Sequence, residues 1–245
     1  MNTASAIAAF RCRFDKEGTK KRAEGEKAYL KSDLDFYGVP SAGIRSAARD
    51  FQRDHPDLSR EHLLKLVRAL WRTHHFELWA LGTRLLERYI NRLQAGDMAF
   101  IEKLIRQSKT WALVDWLAVG IAGDLVERYA SSKRVLSRWA KDEDFWVRRA
   151  AMLALLRPLR RGDGEWTLFT RFASSMVQEK EFFIRKAIGW VLREISKKRP
   201  TLVYAFLRDH VSEVSGLTFR EGSKYLPSEM KRRLVAERSQ GLGVQ

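Results

Sequence analysis

Trp111 and Asp115 are four residues apart, in a segment whose apolar spacing reads as helix. A helix turns about 100° per residue, so the two share a face and bring an indole plate and a carboxylate to one spot, about one turn apart. They lie at the margin of a core stripe formed by Val114, Leu117, Ala118, Ile121 and Leu125. A lone aspartate among apolar residues commonly caps a helix or pairs with an arginine. The functional alternative is a carboxylate that faces a developing positive charge. A second pattern occupies residues 181–198. Ile184, Ile188, Val191 and Ile195 make one narrow apolar stripe, while Lys186, Trp190, Arg193 and Lys197 gather on the opposite side of the helix. One reading of that second side is a solvated charged face with a covered tryptophan. The other is a nucleic-acid surface, with cations on phosphates and the indole against a sugar or base.

The elements that must carry these residues read as helices throughout, because no stretch sustains the period-2 alternation of a strand. Expected early helices are 3–14 and 22–35, then one capped by Ser41 and running to about Asp54, and one starting near Ser59. Thr110 is a candidate cap for the Trp111 helix, and another helix is expected over 144–157. Similar helices open at Phe76, Trp111, Trp146, Phe183 and Thr218, at intervals of 35, 35, 37 and 35 residues. A period in the thirties with two helices per unit is the mark of an α-solenoid, in which each pair buries its apolar side on its neighbours and a concave face results. The second helix of each pair usually lines that face. Arg148, Arg149, Arg185, Lys186 and Arg220 then become successive basic rungs. Cations in the first turn of a helix oppose its dipole. Either bound phosphates restore the balance, or the nearby Asp142, Asp144, Glu179 and Glu181 pair with them.

Composition narrows the partners. Lys+Arg of 46 against Asp+Glu of 30 gives a net charge of +16, which makes a polyanion the default ligand. The most apolar segment, Trp111 to Leu125, is interrupted by Asp115 and Asp124, so no membrane span is expected. Residues 1–10 lack the features of an export signal and read as a first helix. Cys12 is the single cysteine, which excludes an internal disulfide and fits a reducing cytoplasm. Neither metal-ligand spacing of histidines nor a phosphate-binding glycine loop is present, so no metal and no nucleotide cofactor are expected. At 245 residues, one continuous repeat domain over 1–245 is expected, with its clearest repeats about 63–225, and a monomer is the default.

Three segments carry a more specific signal: Lys109-Thr-Trp-Ala-Leu-Val-Asp115, Trp146-Val-Arg-Arg-Ala-Ala151 and Lys180-Glu-Phe-Phe-Ile-Arg-Lys-Ala-Ile-Gly-Trp-Val-Leu-Arg193. In these the chain resembles the AlkD-type family of DNA alkylation repair enzymes, DNA glycosylases built from HEAT-like antiparallel helix pairs. The similarity runs from about Leu63 to Lys197, is looser over Tyr29 to Ala48, and is poor after Arg199. Departures lie at Gly38 to Gly43 and in the tail from Arg232 to Gln245. The resemblance implies release of cationic N3- or N7-alkylpurines from double-stranded DNA without metal or cofactor. It places Trp111, Asp115, Arg149 and Trp190 at the lesion-binding cleft, with Asp115 facing the sugar, Trp190 across the sugar from it, and Arg149, Lys186 and Arg193 on phosphates. The competing expectation is a non-catalytic helical-repeat scaffold that binds nucleic acid or an acidic protein, with steep salt dependence and no chemistry.

Overall fold

A computed structural model describes residues 2–242; Met1 and the end of the expected divergent tail, Gly243 to Gln245, lie outside the described residues. The described chain is helical, with one isolated bridge, Asp35 to His75, as its extended pairing. It divides into two compact units, Met1–Ile121 and Ala122–Gln245.

The first unit comprises α1 (Thr3–Glu17), α2 (Lys20–Leu30), α3 (Ser41–Asp54), α4 (Arg60–Trp71), α5 (Phe76–Arg88), α6 (Met98–Ser108) and α7 (Trp111–Trp116), with 3-10 turns at Ile90–Arg92 and Ala95–Asp97. Asn2 caps α1 by accepting from the amides of Ala4 and Ser5, and Ser59 caps α4 by accepting from His62 N. Several boundaries differ from the sequence expectation. Lys31 takes a left-handed conformation (φ 48°) and ends α2 at Leu30, five residues before the expected 35. Ser41 is the first residue inside α3 and gives its hydroxyl oxygen to Arg45 instead of capping. The loop before α3 depends on Gly38 at φ +77°, where a Cβ would come within 2.2 Å of the Thr19 carbonyl oxygen. The fully buried Glu77 of α5 holds that loop, accepting from the amides of Tyr37 (3.0 Å), Gly38 (2.6 Å) and Val39 (3.1 Å).

The second unit comprises α8 (Gly123–Arg128), α9 (Ser132–Trp139), α10 (Phe145–Leu153), α11 (Leu156–Arg161), α12 (Trp166–Ser175), α13 (Phe182–Ser196), α14 (Pro200–Asp209), α15 (Gly216–Gly222) and α16 (Ser228–Leu242). The expected 144–157 helix is therefore two, interrupted at Ala154 and Leu155. The repeat is borne out, since helices open at Phe76, Trp111, Phe145, Phe182 and Gly216, within two residues of the expected points. Two of its recurring aromatics pack against each other. Trp146 and Phe183, at equivalent places in successive repeats, lie 4.7 Å apart between ring centroids. All four residues of the α13 stripe, Ile184, Ile188, Val191 and Ile195, are fully buried, as their spacing predicts. Helices α13 and α15 approach so closely that a Cβ on Gly189 would lie 2.8 Å from Glu221 Cβ, and one on Gly222 would lie 3.2 Å from Leu192 Cβ. A glycine on each partner thus permits the crossing, and Thr218 Oγ1 donates to the Arg185 carbonyl across it (3.1 Å).

Candidate active site

In the first unit, Lys109 (φ 44°) turns the chain out of α6, and Thr110 begins α7 with its carbonyl accepting from the amides of Leu113 and Val114. The side-chain cap expected of Thr110 is not made, and its hydroxyl is buried without a hydrogen-bond partner. Trp111 and Asp115 are both part-exposed, whereas Leu113, Val114, Leu117 and Ala118 are buried, so the two candidates occupy the margin of the core as their spacing predicts. Trp111 meets an aromatic that sequence reasoning missed. Tyr29 of α2 is 72% exposed and stands edge-on to the indole, with centroids 6.1 Å apart at 85°. Tyr29 sits in a polar, weakly patterned segment, so its exposure as a large aromatic is the one signal that could have marked it.

Directly after α7, Leu117–Ala122 winds as a π-helix before α8 resumes α geometry. The sequence predicts an uninterrupted α-helix here. The expected stripe residues Leu117, Ala118, Ile121 and Leu125 are all buried in the observed helix, so the apolar pattern alone does not mark the change. π turns are uncommon and recur at functional sites. Trp116, next to Asp115, is clamped at this turn: the Arg84 guanidinium lies 3.0 Å over its ring centre, Glu87 takes its indole N–H at 3.3 Å, and Arg84 pairs with Glu87 at 2.7 Å. Burial pulls the Arg84 guanidinium below its ordinary value, against the Glu87 hydrogen bond and charge that raise it. Beside this clamp is an apolar recess of about 250 Å3, which Tyr29, Phe76 and Trp116 help to line.

The second unit carries the remaining candidates. The sequence places Arg148 among the phosphate ligands, but the structure commits it elsewhere. Its Nε and Nη2 donate to Glu179 (3.0 and 2.7 Å), and its Nη1 donates to the carbonyls of Asp142 and Glu143 (2.6 and 2.9 Å). Of the two explanations for cations in the first turn, internal pairing is the one realised at this position. Arg149, also expected on phosphate, is 1% exposed, and its Nη1 donates to the Phe183 carbonyl at 2.5 Å, tying α10 to the first turn of α13. Arg185 donates to the Glu179 carbonyl (2.7 Å), and Arg193 pairs with Glu221. Lys186 is exposed at the surface, 5.6 Å from the Phe182 ring centre, and Arg220 is exposed as well. Trp190, one turn beyond Lys186 on α13, is part-exposed. Lys197, read as part of the basic face, pairs with Glu194 (2.9 Å), a nearly buried carboxylate missed in the sequence that also meets Arg160 (3.2 Å). Burial pushes Glu194 up, but Lys197, Arg160 and Arg193 outweigh it and hold its carboxyl below the ordinary value.

Among the described residues, no group of three His, Cys, Asp or Glu side chains could hold a metal ion, and no helix is long and apolar enough to cross a membrane. What the geometry offers is an aromatic and carboxylate pair on α7 and a second tryptophan on α13, in an all-helical chain of successive helix pairs with a strong positive charge.

That combination defines a helical-repeat protein suited to a polyanionic substrate. The chain belongs to the DNA alkylation repair enzyme family, whose model matches residues 10–226, so the resemblance read from the three segments is borne out. No curated protein matches the sequence. Among solved structures it is similar to a predicted DNA alkylation repair enzyme from Enterococcus faecalis, at 24% identity and a TM-score of 0.79, covering 86% of this chain and 98% of that one. It is also similar to AlkD2 from Streptococcus mutans, at 19% identity and a TM-score of 0.62, covering 84% of this chain and 100% of that one. At these identities the likeness speaks for the fold.

Proposed function

We propose that this protein is a monofunctional DNA glycosylase that releases cationic N3- or N7-alkylpurines from duplex DNA, acting as a monomer without metal or nucleotide cofactor. The observation that carries this reading is the part-exposed Trp111 and Asp115 on one face of α7, in a chain of the DNA alkylation repair family. Alkylation leaves the purine positively charged. When the bond from C1′ of the sugar to the purine breaks, its electron pair neutralises the departing base, which therefore needs little general-acid help. The deoxyribose takes on oxocarbenium character instead, and a carboxylate is the side chain suited to stabilise it and to orient the attacking water. Water adds to C1′, loses a proton to solvent, and leaves an abasic site. The electron-rich face of Trp111 favours the cationic sugar, and on α13 Trp190 offers a further indole face and Lys186 charge for a phosphate. Arg148, Arg149, Arg185 and Arg193 serve this reading through the helix contacts that hold α10 and α13 in place.

The test is release of N7-methylguanine from a duplex under single-turnover conditions. Asp115→Asn is expected to lower the rate about 100- to 1,000-fold, the usual cost of losing one electrostatic partner of the transition state. An unchanged rate refutes the role of Asp115. No release by the wild type, together with salt-dependent DNA binding, favours the non-catalytic scaffold.

A further inference from the structure

A cluster of positive charge in the first unit lies between α4 and α6. There a recess of about 440 Å3 collects Arg60, Arg68, Arg72 and Lys103, and its one carboxylate is Asp97. It shares no residue with the apolar recess beside Trp116. Arg60 is neutralised: its Nε and Nη2 donate to the two oxygens of the buried Asp97 (2.9 and 2.5 Å), which also takes the Gln94 amide (2.8 Å). Arg68, Arg72 and Lys103 are exposed and make no ion pair among the described residues. Since Asp97 is spent on Arg60, the recess offers nothing to a metal cation.

These three cations are arranged, not scattered. Arg68 on α4 and Arg72, which caps the end of that helix in helical conformation, are four apart, so two like charges share a face, which disfavours the free protein. Elsewhere the chain uses that spacing for opposite charges, as in Arg22 with Glu26, Glu102 with Arg106 and Asp124 with Arg128. On α6, Lys103 and Gln107 repeat the spacing and line the same recess as Arg68 and Arg72. Arg68 is steadied by Phe100, its guanidinium carbon 4.9 Å from the ring centre. The floor is apolar, with Leu64, Leu104 and Trp71 buried beneath the cations. Preset donors over a low-dielectric floor suit a compact, multiply charged oxyanion better than a carboxylate or a flat apolar partner.

We propose that the recess between α4 and α6 is a phosphoanion site separate from the Trp111 and Asp115 face, built from Arg68, Arg72 and Lys103, with Gln107 as a neutral donor. Two sources supply that chemistry: phosphates of a nucleic-acid backbone, and a free phosphoanion such as a diphosphate.

The test compares the wild type, an Arg68→Gln/Arg72→Gln/Lys103→Gln variant, and a Lys16→Gln/Arg157→Gln/Lys231→Gln control that removes the same charge from exposed positions outside the recess. All six positions are at the surface, and circular dichroism checks that each variant folds. One readout is the shift in melting temperature on adding pyrophosphate. The other is the slope of log affinity against log salt for an undamaged duplex. Each phosphate contact contributes roughly 0.9 to that slope, so losing three lowers its magnitude by about 2 to 3. A slope lowered in the recess variant beyond the control assigns the site to the DNA backbone. A pyrophosphate shift lost only in the recess variant, with slopes matching the control, assigns it to a free phosphoanion. Equal shifts and equal slopes in the two variants overturn the proposal. Neither readout involves base release, so the proposal stands or falls apart from the glycosylase reading.

Discussion

Glu77 is the residue whose replacement tests the local architecture most sharply. Its buried carboxylate accepts three amides from one loop, and two of those amides, of Gly38 and Val39, are in buried hydrogen bonds. Glu77→Ala leaves both amides without a partner, at about 1–3 kcal/mol each. Removing a desolvated carboxylate returns part of that cost. The expected net loss is therefore about 2–4 kcal/mol, or roughly 4–16 °C in Tm for a chain of this size. Glu77→Gln retains one acceptor oxygen. If that oxygen keeps Gly38 and Val39, only the Tyr37 bond is lost, at about 0.5–1.5 kcal/mol. Urea denaturation gives the order of the two variants, and amide exchange at Gly38 and Val39 localises the effect. The pH dependence carries its own sign. Burial, opposed by the backbone hydrogen bonds, raises the Glu77 carboxyl above its ordinary value. A raised carboxyl contributes its stability in acid and loses it as pH rises through the folded value. The deficit of Glu77→Gln, which cannot titrate, should then narrow as pH rises from the acid range. Equal stability of the two variants, or a loss below about 0.5 kcal/mol for Glu77→Ala, would refute the reasoning.

Gly189→Ala places a methyl 2.8 Å from Glu221 Cβ and 3.3 Å from Thr218 Cα, so α13 and α15 must move apart; urea denaturation should show a loss of about 1–3 kcal/mol. Arg148→Ala removes the paired bonds to Glu179 and the bonds to two carbonyls, and should lower stability by about 1–3 kcal/mol while leaving the salt slope of DNA binding unchanged. Lys186→Gln should do the reverse, lowering the magnitude of that slope by about 0.9 with little effect on the denaturation midpoint.

The parts of this molecule that were legible in its sequence are those decided by periodicity. Ile184, Ile188, Val191 and Ile195 had to face inward because no other arrangement of α13 buries them, and the repeat announced itself through similar helix starts at near-constant intervals, two of whose aromatics, Trp146 and Phe183, pack together. Elements set by backbone conformation or by one distant partner were not legible. The end of α2 depends on Lys31 entering the left-handed region, which a lysine does not advertise. The π turn escapes because the stripe residues predicted for an α-helix, Leu117, Ala118, Ile121 and Leu125, are buried all the same. Glu77 reads as an ordinary acidic residue in a helical first turn, and only the fold brings the Gly38 loop onto it.

The charge illustrates the same point with a functional consequence. A net charge of +16 and a ladder of cations at repeat-related positions imply a phosphate-binding face, but type and spacing record only that a cation is present. What a cation can do for a ligand depends on what it already holds, and that is settled by residues some thirty positions away. Arg148 is closed by Glu179, Arg149 by the carbonyl of Phe183, and Arg193 by Glu221. An arginine already satisfied in this way gains little from a phosphate, because a bond lost inside the protein offsets the bond formed outside it. Lys186, Arg220, Arg68, Arg72 and Lys103 carry no such commitment to a carboxylate. The salt dependence of DNA binding should therefore track these exposed cations, and the arginines nearest the α10 and α13 helix starts should report on folding.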